Sequence, residues 1–229
     1  MIDVSTHRQA LADRIAVVTS LIDETHPTPP AIGPISREAR GLAVVLLFAA
    51  YEDLLKSLTR TLLEAVVSMR ISNSRLSPGF RVFAIRDAAR SLRDVSERKL
   101  FETTIPKIVE LVERSDRVPT LNTSDFPSDG SFMKRSQIEF WARTFQTGPP
   151  VVVLQRVWNN IDAVVAQRNA VAHGSQTPQD VGRNYTEGDI RRLTADWASD
   201  WDAFLVHVEA LAGACGRSRD CWRARRSRP

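Results

Sequence analysis

The sequence has little of what would support a disulfide framework, a membrane span or a metal centre. It contains two cysteines, Cys215 and Cys221, and a Cys-x5-Cys pair without neighbouring histidines is a poor zinc site. The longest apolar run, 42–51, is too short to cross a bilayer and is followed by two acidic residues. The N-terminal residues lack the basic and apolar regions of a secretion signal. We therefore expect a cytoplasmic protein with no membrane association, no metal and no cofactor.

Several motifs of common enzyme classes are also missing from the chain. There is no glycine-rich phosphate loop, no serine nucleophile elbow and no identifiable pair of catalytic carboxylates. No segment alternates apolar and polar residues as a half-buried strand does, and we find no internal repeat or low-complexity tract. Helical periodicity is the only pattern present, so the sequence predicts an all-α protein, folded as an antiparallel bundle of four or five principal helices.

The basic charge of the chain is confined to its end. Residues 216–229 contain six arginines and one aspartate, for a net charge of +5, whereas the remaining chain has 25 basic and 26 acidic residues. We expect a single domain over 1–215, with its core at about 36–212, and a disordered tail over 216–229. Loose, salt-sensitive contact of this tail with nucleic acid is an alternative.

The spacing of apolar residues places the helices. It predicts helices over 5–24, 36–70, 81–95, 96–115, 131–146, 151–173 and 186–211. Ser36 is the predicted N-cap of the second helix, and Thr186 with Asp189 resembles a capping box for the last. Pro106 is expected to kink or divide the fourth helix. Proline-rich or polar segments predict loops over 25–34, 116–130 and 176–185.

The stretch Arg168-Asn169-Ala170-Val171-Ala172-His173-Gly174, called the 168–174 motif below, closes the helix predicted over 151–173. Gly174 and Pro178 are helix-stop signals. On a helical projection, Arg168 lies on the apolar stripe, whose other members are Leu154, Val157, Ile161, Val164, Val165 and Ala172. A guanidinium in that place must be paired, bound to an anion or placed at an interface. Asn169 and His173 share the adjacent face, since they are four residues apart.

These side chains suit phosphate chemistry. Arginine can hold a phosphate through two parallel hydrogen bonds, and an imidazole at a helix C-terminus can exchange protons near neutral pH. Together they suffice for metal-free RNA cleavage in which the 2′-hydroxyl of the RNA is the nucleophile. The spacing alone is weak support, because chance gives about half an Arg-x4-His pair in a chain with this composition. Arg168 could instead pair with Glu52 or Asp53, and His173 could cap the helix.

The longer string resembles the signature of HEPN domains (higher eukaryotes and prokaryotes nucleotide-binding), whose core is Arg-x4-His. A second stretch, Leu42-Ala43-Val44-Val45-Leu46-Leu47-Phe48-Ala49-Ala50-Tyr51-Glu52-Asp53-Leu54-Leu55, is similar to the long first core helix of the RiboL-PSP-HEPN and related bacterial branches. The resemblance extends over about 36–212 in the order of elements, but its specific motifs are confined to these two stretches. It implies a HEPN-type helical bundle with additional short helices.

In that family, two protomers commonly place both motifs in one cleft, and many members are metal-independent endoribonucleases of toxin–antitoxin or other defence systems. The resemblance therefore implies an RNA-cleaving homodimer, with an antitoxin or another defence protein as a further partner. By position, Arg168 would stabilise the phosphate and His173 would transfer protons. Asn169 would support the site, and Glu52 would orient or neutralise Arg168. Ser175 stands where some HEPN toxins have a modified tyrosine, so that mode of regulation is not expected.

Two other functions remain open at the level of sequence. Some HEPN domains are inactive, so the chain could be a non-catalytic module that binds RNA, a nucleotide or a protein. It could also be a structural protein in which Arg168 and His173 only stabilise the bundle. The aromatic residues Phe140, Trp141 and Phe145 could stack bases, although core packing is the preferred interpretation at helical spacing. The same holds for Trp197, Trp201 and Phe204, while His7, His26 and His207 are assigned surface or packing roles.

Overall fold

A computed structural model describes residues 2–26, 33–93, 95–115 and 120–218, with side chains as far as 212. Within these residues the chain is helical and contains no β-strand. The α-helices are α1 (Ser5–Thr25), α2 (Pro34–Ser68), α3 (Pro78–Arg90), α4 (Glu97–Lys99), α5 (Ile105–Glu113), α6 (Arg135–Phe145), α7 (Ile161–Ala172), α8 (Pro178–Gly182) and α9 (Glu187–Ser218). Short 3-10 turns occur at Asn73–Arg75, Ser91–Arg93 and Pro150–Val152, and a π-helical segment occurs at Leu100–Thr104. The all-α prediction is confirmed.

Side-chain contacts show that α1 runs antiparallel to both long helices. Near the start of α1, Arg8 pairs with Asp202 at 2.6 Å, and near its end Asp23 pairs with Arg191 of α9 at 2.6 Å. Against α2, Arg14 reaches Asp53 at 3.0 Å. These pairs are exposed and contribute little stability. The buried face of α1, formed by Leu11, Val18 and Ile22, is the one that its apolar spacing predicts.

A continuous set of aromatic contacts fills the space between α2, α6 and α9. Tyr51 of α2 stacks on Trp201 at 5.3 Å between ring centroids and meets Trp197 edge-on at 5.6 Å. Trp201 contacts Phe204, which in turn contacts Trp141 of α6. All five of these rings are fully buried. Each contact between two rings adds about 1 kcal/mol to the stability beyond the burial of their surface. The prediction that these aromatics pack in the core is confirmed for Trp141, Phe145, Trp197, Trp201 and Phe204, and Phe140 is half-buried.

Helix α6 is bonded to the second half of α2, where the indole of Trp141 donates to Thr59 at 2.7 Å, and α3 packs against both α5 and α6. The predicted helix over 96–115 is divided, as expected, with the π segment ending just before Pro106. Several predicted boundaries are wrong. The helix predicted over 81–95 is α3, which spans Pro78–Arg90. Ser36 lies inside α2 and donates to the carbonyl of Thr25 at 2.8 Å, whereas Gly33 holds the N-cap position. The helix predicted over 131–146 begins only at Arg135.

The helix that carries the motif is much shorter than predicted, because it begins at Ile161 and not at 151. Its preceding segment forms a 3-10 turn and further turns. The buried carboxylate of Asp200, on α9, accepts hydrogen bonds from the backbone N–H groups of Arg156 at 2.7 Å and Val157 at 3.2 Å. Those amides therefore have an acceptor outside the helix, and Asp200 fixes the approach of the chain to α7.

The loop predicted over 176–185 contains a helix, α8, which the sequence interpretation missed. Thr177 and Asp180 form a capping box with hydrogen bonds of 3.1 Å in both directions. Helix α8 packs against the first turns of α2 at two glycines. A Cβ at Gly41 would overlap the carbonyl oxygen of Pro178, and one at Gly182 would overlap that of Arg37. This close backbone approach holds α8, and the chain between it and α7, against α2.

The last helix begins where the sequence predicts. Thr186 and Asp189 form the expected capping box, with the Asp189 N–H donating to the Thr186 hydroxyl at 3.1 Å. Helix α9 continues to Ser218, which lies inside the segment predicted to be a disordered tail. The rest of that predicted tail, 219–229, lies outside the described residues, as do most of the predicted 25–34 linker (27–32) and the first part of the 116–130 loop (116–119). No helix within the described ranges is long and apolar enough to span a bilayer.

Candidate functional site

The 168–174 motif forms the C-terminal end of α7, and its glycine has a defined backbone role. His173 is the C-cap, and Gly174 follows with a φ of +71°. The Ser175 N–H donates to the Ala170 carbonyl at 2.9 Å, and the Gly174 N–H donates to the Val171 carbonyl at 3.1 Å. This pair of bonds is a Schellman motif, which needs a residue in the left-handed region at the position of Gly174. The predicted helix end at His173 is confirmed.

The side chain of Arg168 extends from the apolar face of α7 towards α2. Its guanidinium carbon lies 4.4 Å from the centre of the Phe48 ring, which is a cation–π contact. Nη1 donates to the side-chain oxygen of Asn169 at 3.0 Å, and Nη2 lies 3.9 Å from a carboxylate oxygen of Glu52. The side chain of Arg168 is 35% exposed, so part of the guanidinium faces solvent.

Glu52 neutralises Arg168 only in part. Its Oε1 accepts a hydrogen bond from Lys56 at 2.8 Å, whereas the separation from Arg168 is at the outer limit of an ion pair. One carboxylate thus faces two cations. Arg168, Lys56 and Glu52 together carry a net charge of +1, which favours an anion at the exposed edge of the guanidinium.

His173 is exposed, and its ring makes no hydrogen bond or ion pair with any described residue. Asn169, one turn earlier, is half-buried and is already engaged by Arg168. Since successive helical residues rotate by about 100°, Arg168 and His173 project about 140° apart around α7. Within one chain, Arg168 is directed at α2 and His173 at solvent.

Tyr51 lies in the core directly behind this site. Its hydroxyl donates a short hydrogen bond to the backbone carbonyl of Met133, and its ring touches Phe48 edge-on. Burial raises the pKa of the Tyr51 hydroxyl, and the nearby carboxylates of Glu52 and Asp162 raise this pKa further, against the opposing effect of Arg168. Tyr51 therefore stays neutral and serves to join α2 to the 131–134 segment.

The structure places the predicted site residues as follows. It brings Glu52, Arg168 and Asn169 together and leaves His173 exposed, one turn after Asn169 and directed away from Arg168. Asp53, the alternative partner of Arg168, pairs with Arg14 instead. Ala172, expected on the buried stripe, is exposed, because it occupies the last turn where α7 leaves the core.

Sequence reasoning missed two contributors to the site. Phe48 precedes Glu52 by four residues, so helical spacing could have placed both on the face of α2 that meets Arg168. Tyr185 donates to the side-chain oxygen of Gln167 at 2.7 Å and so ties the chain after α8 to α7. Burial raises the pKa of the Tyr185 hydroxyl, while the bond to Gln167 opposes that rise.

The remaining histidines have local packing partners. His7 lies within hydrogen-bond distance of Thr61 (2.9 Å) and Ser57 (3.2 Å), and His207 faces the carbonyl of Thr147 at 2.8 Å. Burial lowers the pKa of His7. Across the described part of the chain, no three His, Cys, Asp or Glu side chains are grouped so as to hold a metal ion.

Two shallow cavities lie between α1 and α9, and neither includes a residue of the motif. The larger, of about 500 Å³, is lined mainly by small and apolar side chains such as Ala12, Ala16 and Ala198. The second, of about 220 Å³, adjoins it at Ile15 and Thr19. On one chain, the 35% exposed side chain of Arg168 and the exposed His173 place the candidate site at the surface. In comparisons with family models, curated proteins and solved structures, none matches this chain.

Proposed function

We propose that the chain is a metal-independent endoribonuclease of the HEPN type, acting as a homodimer in a toxin or defence system. The observation that carries the proposal is the state of Arg168. It is contacted by Phe48 and Asn169 but is incompletely neutralised by Glu52, and it is partly exposed on the same helix as a histidine whose ring has no partner among the described residues. A partly exposed guanidinium is suited to a phosphate.

The chemistry would proceed without an external nucleophile. The 2′-hydroxyl of a ribose attacks the adjacent phosphorus, a 2′-O–P bond forms, and the bond from phosphorus to the 5′-oxygen breaks. The products are a 2′,3′-cyclic phosphate and a free 5′-hydroxyl. Arg168 stabilises the negative charge on the non-bridging oxygens of the pentacoordinate phosphorus. The attacking 2′-hydroxyl loses a proton and the departing 5′-oxygen gains one, and His173 makes one of these two transfers. Asn169 and Glu52 act as positioning residues for Arg168.

The arrangement of the two side chains supports a site shared between protomers. Because Arg168 and His173 project about 140° apart on α7, one phosphate does not sit symmetrically between them on a single chain. A second copy related by a two-fold axis would bring its own motif to the same surface, so that the arginine and histidine at each phosphate come from different chains. It would also cover the exposed parts of Arg168 and His173.

The second candidate is a non-catalytic module that binds RNA, a nucleotide or a protein. The observation that favours it is the lack of any described group that orients the His173 ring. General acids and bases are commonly held by a third group. Under this alternative Arg168 still binds a phosphate, but no bond is broken.

The deciding experiment is RNA cleavage in the presence of EDTA by the purified protein and by Arg168→Ala and His173→Ala. Arg60→Ala is the matched control, because Arg60 is an exposed arginine on α2 that pairs only locally with Glu64. We expect both motif variants to lose at least about 100-fold in cleavage rate with unchanged folding, and the control to retain full activity. Intact RNA binding without cleavage by the wild type would favour the binding module. Loss of folding stability in both motif variants would instead indicate a structural role.

A further inference from the structure

Phe132 is the most exposed large apolar side chain among the described residues, at 76%. Its backbone has a φ of +53°, and that of the next residue, Met133, has a φ of +71°. Side chains with a Cβ rarely adopt this left-handed region, and each such residue costs on the order of 1 kcal/mol. The local structure therefore bears a conformational cost while Phe132 gains almost no burial in return.

The segment that contains Phe132 and Met133 is hydrogen-bonded to both helices of the candidate site, α2 and α7. On one side, the carbonyl of Met133 accepts the hydrogen bond from Tyr51, the residue before Glu52. On the other side, the carboxylate of Asp162, on α7, accepts a hydrogen bond from the backbone N–H of Arg135 at 2.8 Å. The same carboxylate forms an ion pair with the Arg135 guanidinium at 2.9 Å. Phe132 is thus held on a rigid support and not on a loose loop.

The position of this support relates Phe132 to the motif. Asp162 and Asn169 are seven residues apart, so they lie on one face of α7 with a rise of about 10 Å between them. His173 continues the same face by one more turn. Phe132 is therefore anchored near the start of α7, and the motif lies at the end of the same helix.

Two basic residues follow Phe132 in the chain. The exposed side chain of Lys134 makes no hydrogen bond or ion pair with a described residue, whereas Arg135 is paired with Asp162 and has Nη1 3.5 Å from the Asn159 side-chain oxygen at the surface. Exposed aromatic rings beside cations are how proteins hold single strands, since every base has a face that can stack. A protein partner would also bury an exposed ring, but it would not require the neighbouring cations.

We propose that Phe132 is a base-stacking subsite that holds one nucleotide of a single-stranded RNA bound through a phosphate at Arg168. This inference rests on the proposed function, because it assumes that RNA binds along α7. Phe132 takes no part in bond breaking. It positions the strand and favours unpaired RNA over duplex, whose bases are not available for stacking.

The test measures binding of a fluorescein-labelled single-stranded oligouridylate to the full chain carrying His173→Ala, so that the probe stays intact. In this background Phe132→Gly removes the ring, and glycine adopts the positive φ without strain, so folding is maintained. Phe132→Trp keeps a stacking surface. The matched control is Phe101→Ala, because Phe101 is 64% exposed but lies on the π segment, away from α7.

We expect Phe132→Gly to weaken binding roughly tenfold and Phe132→Trp and Phe101→Ala to leave it within about twofold. The dependence of binding on salt concentration should be unchanged in Phe132→Gly, because stacking releases no counterion, whereas Arg168→Ala should reduce that dependence. Equal binding by Phe132→Gly and its parent overturns the stacking subsite. If that variant instead becomes monomeric with unchanged RNA binding, Phe132 is a contact between protein chains, and the subsite is again overturned.

The two proposals fail in different ways. Cleavage by the wild type with no effect of Phe132→Gly on binding leaves the ribonuclease standing and removes only the subsite. Binding that depends on Phe132 without any cleavage by the wild type retains the subsite and removes the ribonuclease. Neither binding nor cleavage of RNA by the wild type removes both.

Discussion

At the scale of single residues, Arg168 contacts its own chain through Phe48 and Asn169 and still has N–H groups that could bind a ligand. Its guanidinium carbon lies over the Phe48 ring, and one of its nitrogens donates to Asn169. An arginine has five donors in a fixed plane, so further N–H groups remain for a ligand. A lysine in this place would keep the charge but would lack the planar fork of donors.

Tyr51 yields a prediction about alkaline stability. Tyr51→Phe removes the donor to the buried Met133 carbonyl, and an unsatisfied buried group costs about 1–3 kcal/mol, so the variant should be less stable at pH 7. Because burial raises the Tyr51 pKa, the folded wild type keeps a proton that the unfolded chain releases above pH 10. The free energy of unfolding of the wild type should therefore fall by about 1.4 kcal/mol for each pH unit above 10 because of Tyr51. Tyr51→Phe should not show this decrease.

Urea unfolding at pH 7, 10 and 11 checks this expectation. The difference in free energy of unfolding between the wild type and Tyr51→Phe should shrink as the pH rises above 10. Tyr185, whose pKa is also raised, is present in both proteins and cancels in the comparison. A difference that stays constant from pH 7 to 11 would contradict the assignment of the effect to Tyr51.

At the scale of elements, both ends of α7 are determined from outside the helix. The N-terminal approach depends on Asp200 of α9, and the C-terminal end leads into α8, which is fixed on α2. The motif is thus placed by three other helices. Changes in those helices should affect the site although they touch none of its residues.

Asp200→Ala tests the first of these supports. It leaves the amides of Arg156 and Val157 without their acceptor, and we expect a loss of roughly 2–5 kcal/mol in the free energy of unfolding. Asp202→Ala is the control on the same helix, since its exposed pair with Arg8 should be worth no more than about 1 kcal/mol. Chemical denaturation measures both. Equal losses in the two variants would mean that Asp200 does not hold the approach to α7.

Gly41→Ala tests the second support. The added methyl group would overlap the backbone of Pro178, which cannot move like a side chain, so we expect a loss of about 3 kcal/mol or more. Gly188→Ala, in the first turn of α9, is the control, because its Cβ would meet nothing closer than 3.8 Å. Thermal unfolding compares their stability, and RNA cleavage below the melting temperature should fall only for Gly41→Ala. A fully stable Gly41→Ala would show that α8 is free to shift.

Local signals account for the elements that were predicted correctly from the sequence. The apolar period of α1 and the Thr186–Asp189 capping box both act within a few residues. The turns before α7 could not be predicted, because Asp200, more than 40 residues away, supplies the acceptor. Helix α8 could have been found from Thr177 and Asp180, which carry the same capping pattern as Thr186 and Asp189. The Arg168–Glu52 proximity was expected, but the contact with Phe48 was not.

At the scale of the whole molecule, the proposal of a site shared between two protomers predicts complementation between inactive subunits. Arg168→Ala and His173→Ala are each expected to be inactive, but a heterodimer of the two retains one intact arginine–histidine combination. An equal mixture that exchanges subunits should regain ~25% of wild-type activity, because half of the dimers are mixed and each has one working site of two. Cleavage assays on the mixture and on each variant alone measure this, with sedimentation to establish the dimer. A mixture as inactive as its components would place the complete site within one chain.

The continuous aromatic contacts in the core have an optical consequence. Trp197 and Trp201 are fully buried, and their indole N–H groups have no acceptor among the described residues. Indoles in such apolar surroundings emit at the blue end of the tryptophan fluorescence range, and their fixed tilt to neighbouring rings produces near-ultraviolet circular dichroism. Tyr51 touches both indoles and also Phe48, on which Arg168 rests. The two buried tryptophans are therefore an intrinsic spectroscopic probe, and they are linked through Tyr51 and Phe48 to the guanidinium of Arg168.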